Sequence, residues 1–430
     1  MSRTILRGRV LTFLDEPQGL EDTESYRYLE DGAVVIEDGK VVELTDYSPA
    51  LAAGAEIFDH RPHLIMPGFI DTHLHYVQSQ MIASYAGSLL EWLNTYTFVA
   101  EQKFAEQGHA DHVVSAFYDE LIRHGTTTAV AYCSVHPQSV DAYFAEAEKR
   151  NMLMIGGKVM MDRNAPEPLL DTAQSGYDDT TALIARWHGR GRGLYAISPR
   201  FALTSTPEQM EATRALVGEH PDCYMQTHLS ENAAEVTYAM ELYPQAKDYA
   251  GIYEDYGLLS PRSLMGHAIH LSHREAKLMG ETGAVAVFCP TSNLFLGSGL
   301  FDHQRLRQCG VRIGVATDIG GGTSYSMLRT LDEAYKVLQL RGQRLTPLNA
   351  FYMTTLGNAR ALLLEGTIGS IMPGASADLV VLDARATPAM ALRMSTVETL
   401  AEELFLLQTL GDDRSVAEAY VAGARAKSVL

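Results

Sequence analysis

Residues 111–131, Asp111-His112-Val113-Val114-Ser115-Ala116-Phe117-Tyr118-Asp119-Glu120-Leu121-Ile122-Arg123-His124-Gly125-Thr126-Thr127-Thr128-Ala129-Val130-Ala131, read as one helix followed at once by one strand. Val113, Val114, Phe117, Leu121 and Ile122 fall on a single stripe at the 3.6-residue period, while Asp111, Asp119 and Arg123 point away from it. Gly125 supplies the C-terminal stop, and three β-branched threonines then favour extension. So short a helix-to-strand connection is what an alternating α/β fold requires.

The same unit recurs on both sides. Strand-like runs, each followed by helix-like sequence, are predicted at Leu64–Phe69, Thr127–Ala131, Met152–Val159, Leu194–Ser198, Tyr224–Thr227, Leu264–His267, Val285–Cys289 and Arg312–Ala316. Eight such strands define a TIM-like (β/α)₈ barrel, predicted over residues 66–365. The first interval is the exception: residues 76–110 contain Leu89-Leu90-Glu91-Trp92-Leu93 and Tyr96-Thr97-Phe98, too apolar for free solvent, and read as a lid or a subunit contact. Outside the barrel, Ala33–Glu43 alternates in strand fashion around Asp38-Gly39, a two-residue hairpin signal. Ala377–Leu382 and Val416–Ala422 repeat this style, so residues 1–65 and 366–430 are predicted to build one small composite β-sandwich domain.

Composition narrows the function. The 430 residues are 46% hydrophobic and 20% charged, enough to bury a large core. The formal net charge of −19 repels phosphate backbones and anionic headgroups, which argues against nucleic acid and membrane surfaces as partners. No window approaches the roughly 18 apolar residues of a membrane span. Arg3, Arg7 and Arg9 alternate with apolar residues as in a strand rather than a secretory signal, and Cys133, Cys223, Cys289 and Cys309 lie far apart with no C-x-x-C pair. A cytoplasmic protein with reduced cysteines is expected.

The sharpest chemical feature is His73-Leu74-His75, directly after Pro67-Gly68-Phe69-Ile70-Asp71. Residues i and i+2 of an extended chain project to one side, so both imidazoles can meet one cation inside the barrel. His228, His267 and Asp318 follow later strands at the C-terminal face, where barrels of this kind build their sites. His73, His75, His228 and Asp318 then offer three nitrogens and one oxygen to a metal, with His267 beside them. Glu231, three residues beyond His228, is either a helix-capping carboxylate or a proton shuttle. Arg200 is either a solvated loop charge or a ligand for a carbonyl, and Phe201 either core packing or a face for a flat ring.

Other motifs lead elsewhere. Lys158 falls on the third predicted strand rather than the fourth, which argues against a carboxylated lysine bridging two metals. Gly297-Ser298-Gly299 and Gly320-Gly321-Gly322 fit no phosphate-binding fingerprint and read as loops that approach the site closely. Cys289-Pro290-Thr291 is not the P-C-x-x-C of cytidine-deaminase-type zinc sites. His124, His136, His188 and His270 have no convergent partner and read as structural.

Pro67-Gly68-Phe69-Ile70-Asp71-Thr72-His73-Leu74-His75 resembles the opening metal motif of the amidohydrolase superfamily. Within it, His75-Tyr76-Val77-Gln78, Glu91–Phe98, Gly157–Arg163, Pro199-Arg200-Phe201, Gln226–Asn232, Phe288–Phe295 and Thr317-Asp318 are similar to the guanine deaminase family, a likeness that spans the barrel. The resemblance implies one Zn²⁺ per subunit, with iron also compatible, on His73, His75, His228 and Asp318. It sets guanine against Gln78, Arg200, Phe201 and Glu231, bordered by His75, His228 and Asp318, and implies Glu231, His267 and Asp318 as the catalytic groups. Val77 departs from the family's usual proline, which loosens the loop presenting Gln78. The implied reaction is hydrolysis of guanine to xanthine and ammonia by a homodimer. A related deaminase acting on 8-oxoguanine, a pterin or a triazine, or a noncatalytic scaffold on the same barrel, are the alternatives.

Overall fold

The computed structural model describes residues 3–85 and 89–429. The chain opens with β1 (Arg3–Phe13), β2 (Tyr26–Glu37), β3 (Lys40–Asp46) and β4 (Ala55–Pro67). Asp38 and Gly39 both take positive φ, 49° and 77°, between the paired residues Glu37 and Lys40, as the hairpin reading requires. The parallel strands are β5 (Phe69–His75), β6 (Thr126–Tyr132), β7 (Leu153–Gly157), the two-residue β8 (Val159–Met160), β9 (Leu194–Pro199), β10 (Tyr224–Leu229), β11 (Ser263–His267), β12 (Val285–Phe288) and β13 (Arg312–Val315). β14 (Leu379–Leu382), β15 (Val416–Val421) and β16 (Ala424–Arg425) complete the chain.

Two sheets result. One is a mixed sheet from both termini, in the order β16-β15-β14-β4-β1-β2-β3. Met66 pairs with Val380 and Leu6 with Val34, so the two ends of the chain share a core that includes Leu6, Val10, Val34, Ile65, Leu379 and Val381. The other runs β5-β6-β7-β9-β10-β11-β12-β13 in parallel, with β8 beside β9, and is the expected barrel. Its ends close by hydrogen bonds from Asp318 N to the His73 carbonyl, 2.9 Å, and from His75 N to the Ile319 carbonyl. The seam of the barrel therefore joins two of the segments that carry candidate ligands.

One predicted strand needs correction. Leu64–Phe69 is not the first barrel strand: Leu64–Pro67 pairs with β14, and the barrel begins at Phe69. Gly68 makes the switch, since a Cβ there would lie 2.2 Å from the Thr127 hydroxyl. Both sides of the switch are buried, so no change of polarity marks it.

The helix Gln107–Arg123 buries the predicted stripe of Val113, Val114, Phe117, Leu121 and Ile122, and Gly125 ends it at φ 78°. Ahead of it, residues 76–81 and 89–105 form short helical turns that bury Trp92, Leu93, Phe98 and Phe104 and expose Val99; Tyr85 is exposed as well. Among the described residues, no helix is long and apolar enough to cross a membrane.

Candidate active site

The imidazoles of β5 and β10 meet inside the barrel mouth. His75 Nε2 and His228 Nε2 lie 3.1 Å apart, and Asp318 Oδ1 lies 3.4 Å from His73 Nε2 and 3.7 Å from His75 Nε2. Gly266 of β11 makes room, because a Cβ there would come within 2.7 Å of the His73 ring. The His228 Nδ1–H donates to the Arg200 carbonyl at 2.8 Å, which turns Nε2 inward as an acceptor. Burial lowers the pKa of His73, His75 and His228, holding them neutral, the state a metal ligand needs. His73 Nε2 has no hydrogen-bond partner although it is buried. An orphaned nitrogen among converging acceptors fits one divalent metal ion of zinc-like preference, and the groups His73–His75–His228 and His73–His267–Cys289–Asp318 bring their donor atoms within 4.8 Å of one another.

A second layer steadies these groups. Asp71, whose pKa burial raises to about 7, accepts hydrogen bonds from Thr317 and from the His73 backbone, tying β5 to the segment that carries Asp318. Tyr132 stacks on His75 at 4.5 Å between ring centroids. Ser230, His267, Ala268 and Asp318 take left-handed φ of 50–68°, a strain of order 1–3 kcal/mol each that clusters at functional sites.

His267 donates from Nδ1 to Asn293 Oδ1 at 2.9 Å, while its Nε2 faces Glu231 Oε2 at 3.5 Å and Asp318 Oδ2 at 3.8 Å. Burial acts to lower its pKa, but the two carboxylates prevail and raise it. Glu231 is not the helix cap: Asn232 and Glu235 form the capping box, and Ser298 donates to Glu231 Oε1 at 3.0 Å. Burial raises the Glu231 pKa to about 7. A carboxyl that holds its proton near neutrality can give it up or take it back.

The cavity beside these groups is lined by His75, Gln78, Arg200, Phe201, His228, Glu231, His267 and Asp318, with Leu89, Trp92 and Leu93 contributed by the 76–110 insertion. Arg200 is only 3% exposed, which excludes the solvated-charge reading. Its guanidinium meets the Glu101 carboxylate at 2.8 and 3.0 Å and lies 5.6 Å from the Phe98 ring centroid. Gln78 Nε2 also donates to Glu101, at 2.9 Å. The glycine loops do approach closely: a Cβ at Gly320 would lie 2.8 Å from the Gln78 carbonyl oxygen.

Sequence reasoning did not single out Glu101, Tyr132, Asn293 or Ser298. Glu101 had a usable signal, since it lies three residues beyond Phe98 on the apolar face of a helical turn. Cys289, which the sequence motif excluded from a cytidine-deaminase-type zinc site, comes within reach of the metal-ligand atoms. Lys158 is buried against Asp171 at 2.5 Å, so its ammonium is committed to a partner. His188 is grouped with Asp222 and Cys223, but its Nδ1 accepts the Tyr195 N–H and burial lifts the Cys223 thiol to about 12.

Residues 64–425 match the amidohydrolase family. The chain belongs to the amidohydrolase family. Guanine deaminase of Escherichia coli strain K12 is 47% identical over 413 residues, 95% of this chain and 94% of that one. The solved E. coli guanine deaminase has a TM-score of 0.95 at 45% identity, covering 98% and 99% of the two chains. Guanine deaminase from C. acetobutylicum, solved with guanine bound in its active site, has a TM-score of 0.87 at 27% identity, covering 99% and 100%.

Proposed function

We propose that this chain is a metal-dependent guanine deaminase, converting guanine and water to xanthine and ammonia. The observation that carries the reading is one cavity walled by buried polar side chains. At one end it holds converging imidazole and carboxylate donors, and at the other Gln78, Arg200 and Phe201. The E. coli and C. acetobutylicum relatives support it, the latter with guanine bound.

His73, His75 and His228 through Nε2, with Asp318 through Oδ1, would hold the ion, zinc or iron. A divalent cation bound there lowers the pKa of its water from 15.7 toward about 7 and so supplies a nucleophile at neutral pH. Arg200 binds O6 and, with Gln78, fixes the six-membered edge of the ring, while Phe201 lies against its face. As C2 becomes tetrahedral, Glu231 gives its proton to N3, worth roughly 10²–10⁴ in rate. Asp318 Oδ2 receives one proton of the attacking water, and His267, held in place by Asn293, orients that water through Nε2. Asp318 then returns its proton to the C2 amino group while the C2 hydroxyl proton passes back to Glu231; the C2–N bond breaks, the C2 carbonyl forms, and ammonia and xanthine are released with both carboxyl groups restored.

The reading also includes the domain division 1–65, 66–365 and 366–430, with its first boundary shifted to the Gly68 switch, and a cytoplasmic homodimer whose contact includes the exposed Tyr85 and Val99 of the insertion. The test is ammonia release by metal-analysed protein given guanine, 8-oxoguanine, adenine, a pterin and a triazine in parallel. Turnover of guanine above the rest is the expected result. One equivalent of metal with guanine untouched would overturn the substrate.

A further inference from the structure

Glu101 is fully buried behind the cavity-lining Gln78 and Arg200, and the reaction just described makes no use of it. It comes from the insertion rather than from a barrel strand, and its backbone carbonyl is held by the Ser134 hydroxyl at 3.1 Å. The same helical turn grips Arg200 twice, with Phe98 near the guanidinium and Glu101 bonded to it.

The third contact carries a consequence for recognition. A carboxylate engaged with a guanidinium has no proton to donate, so the Gln78 amide can face Glu101 only through Nε2. Its oxygen is then the atom Gln78 offers to a substrate in the cavity it lines. An edge made of an arginine donor beside an amide acceptor matches a ring that presents C6=O next to N1–H. It opposes a ring that presents a C6 amino group next to an unprotonated N1, since donor then meets donor and acceptor meets acceptor. A buried ion pair alone would carry no such meaning; here the same carboxylate fixes two groups of one recognition edge.

We propose that Glu101 is a positioning residue that sets specificity for the lactam edge of the substrate, by locking the Gln78 amide in one orientation and holding Arg200 in place. This rests on the guanine reading above. The experiment compares guanine with 2,6-diaminopurine, which keeps the scissile C2 amino group but carries a C6 amino group and an unprotonated N1. The unmodified protein is expected to favour guanine in kcat/KM by roughly 10⁴ or more. In Glu101→Gln the Gln78 amide can turn over, and that preference is expected to fall at least about tenfold, with the loss on guanine in KM more than in kcat and metal content unchanged. Equal losses on both substrates would overturn the inference, because a merely structural defect moves both together. Gln78→Met removes the acceptor oxygen and leaves the Glu101–Arg200 pair intact, so it does not depend on the fold tolerating a change at 101. It is expected to lower the same preference, and an unchanged preference there would also overturn the inference. Failure of the unmodified protein to deaminate guanine would instead sink the substrate reading.

Discussion

The two ends of the cavity are built from different material. His73, His75 and His228 lie on barrel strands β5 and β10, and Asp318 follows β13 by three residues, so the cluster is as rigid as the sheet whose seam it straddles. The recognition end draws Arg200 and Phe201 from the turn after β9, but takes Gln78, Trp92, Leu93 and Glu101 from the insertion after β5. A barrel supplies the site for hydrolysis with few degrees of freedom, and the loops on its face decide what is hydrolysed. Substitutions at the two ends should therefore fail in different ways.

The largest effect is expected at the strand end. Asp318→Ala removes a carboxylate from among three neutral imidazoles, and metal analysis should show the ion lost and turnover of guanine down by about four orders of magnitude or more. Retention of both metal and activity would move the ligand set elsewhere. Glu231→Gln, which keeps the shape but not the mobile proton, should retain metal and lose about 10²–10⁴ in kcat. Because the Glu231 pKa is raised to about 7, the fraction able to donate falls as pH rises, so kcat/KM should decline through that pH in the unmodified protein. The sign for stability is the same. A carboxyl whose pKa rises on folding contributes stability below its unfolded pKa near 4.5 that is lost as pH climbs through about 7. Glu231→Gln should thus melt higher than the parent at pH 8, by on the order of 1–3 kcal/mol, and equally at pH 4. A flat difference across that range would remove the burial argument. The smallest effect belongs to the loop: Val77→Pro, at the second position of the short helix Tyr76–Met81, should stabilise by about 0.4–1 kcal/mol and lower KM for guanine modestly. Thermal melts and initial rates check both.

The sequence was most readable where local pattern and function coincide. Thr126–Ala131 extends because it is β-branched and buried, and the His73-Leu74-His75 spacing converges because strand geometry has a period of two. The ligands could be found at strand ends for the same reason. Glu101 was visible only as a carboxylate on an apolar helical turn; its role was not, since that depends on Arg200, 99 residues away. Asn293 and Ser298 act on His267 and Glu231 across 26 and 67 residues, and no local spacing records such contacts. The boundary at Gly68 was misplaced because Leu64–Phe69 is apolar throughout, although two different sheets bury its two parts.

Separation of the two ends is tested most directly by measuring metal content and guanine kinetics together in Arg200→Ala. This change also leaves Glu101 buried without its cation, so a loss of about 3–5 kcal/mol in stability is expected alongside. The folded protein should still carry one equivalent of divalent metal, with kcat/KM for guanine reduced about a hundredfold, mainly through KM. Loss of the metal, or kinetics indistinguishable from the parent, would contradict the division between a strand-built reaction end and a loop-built recognition end.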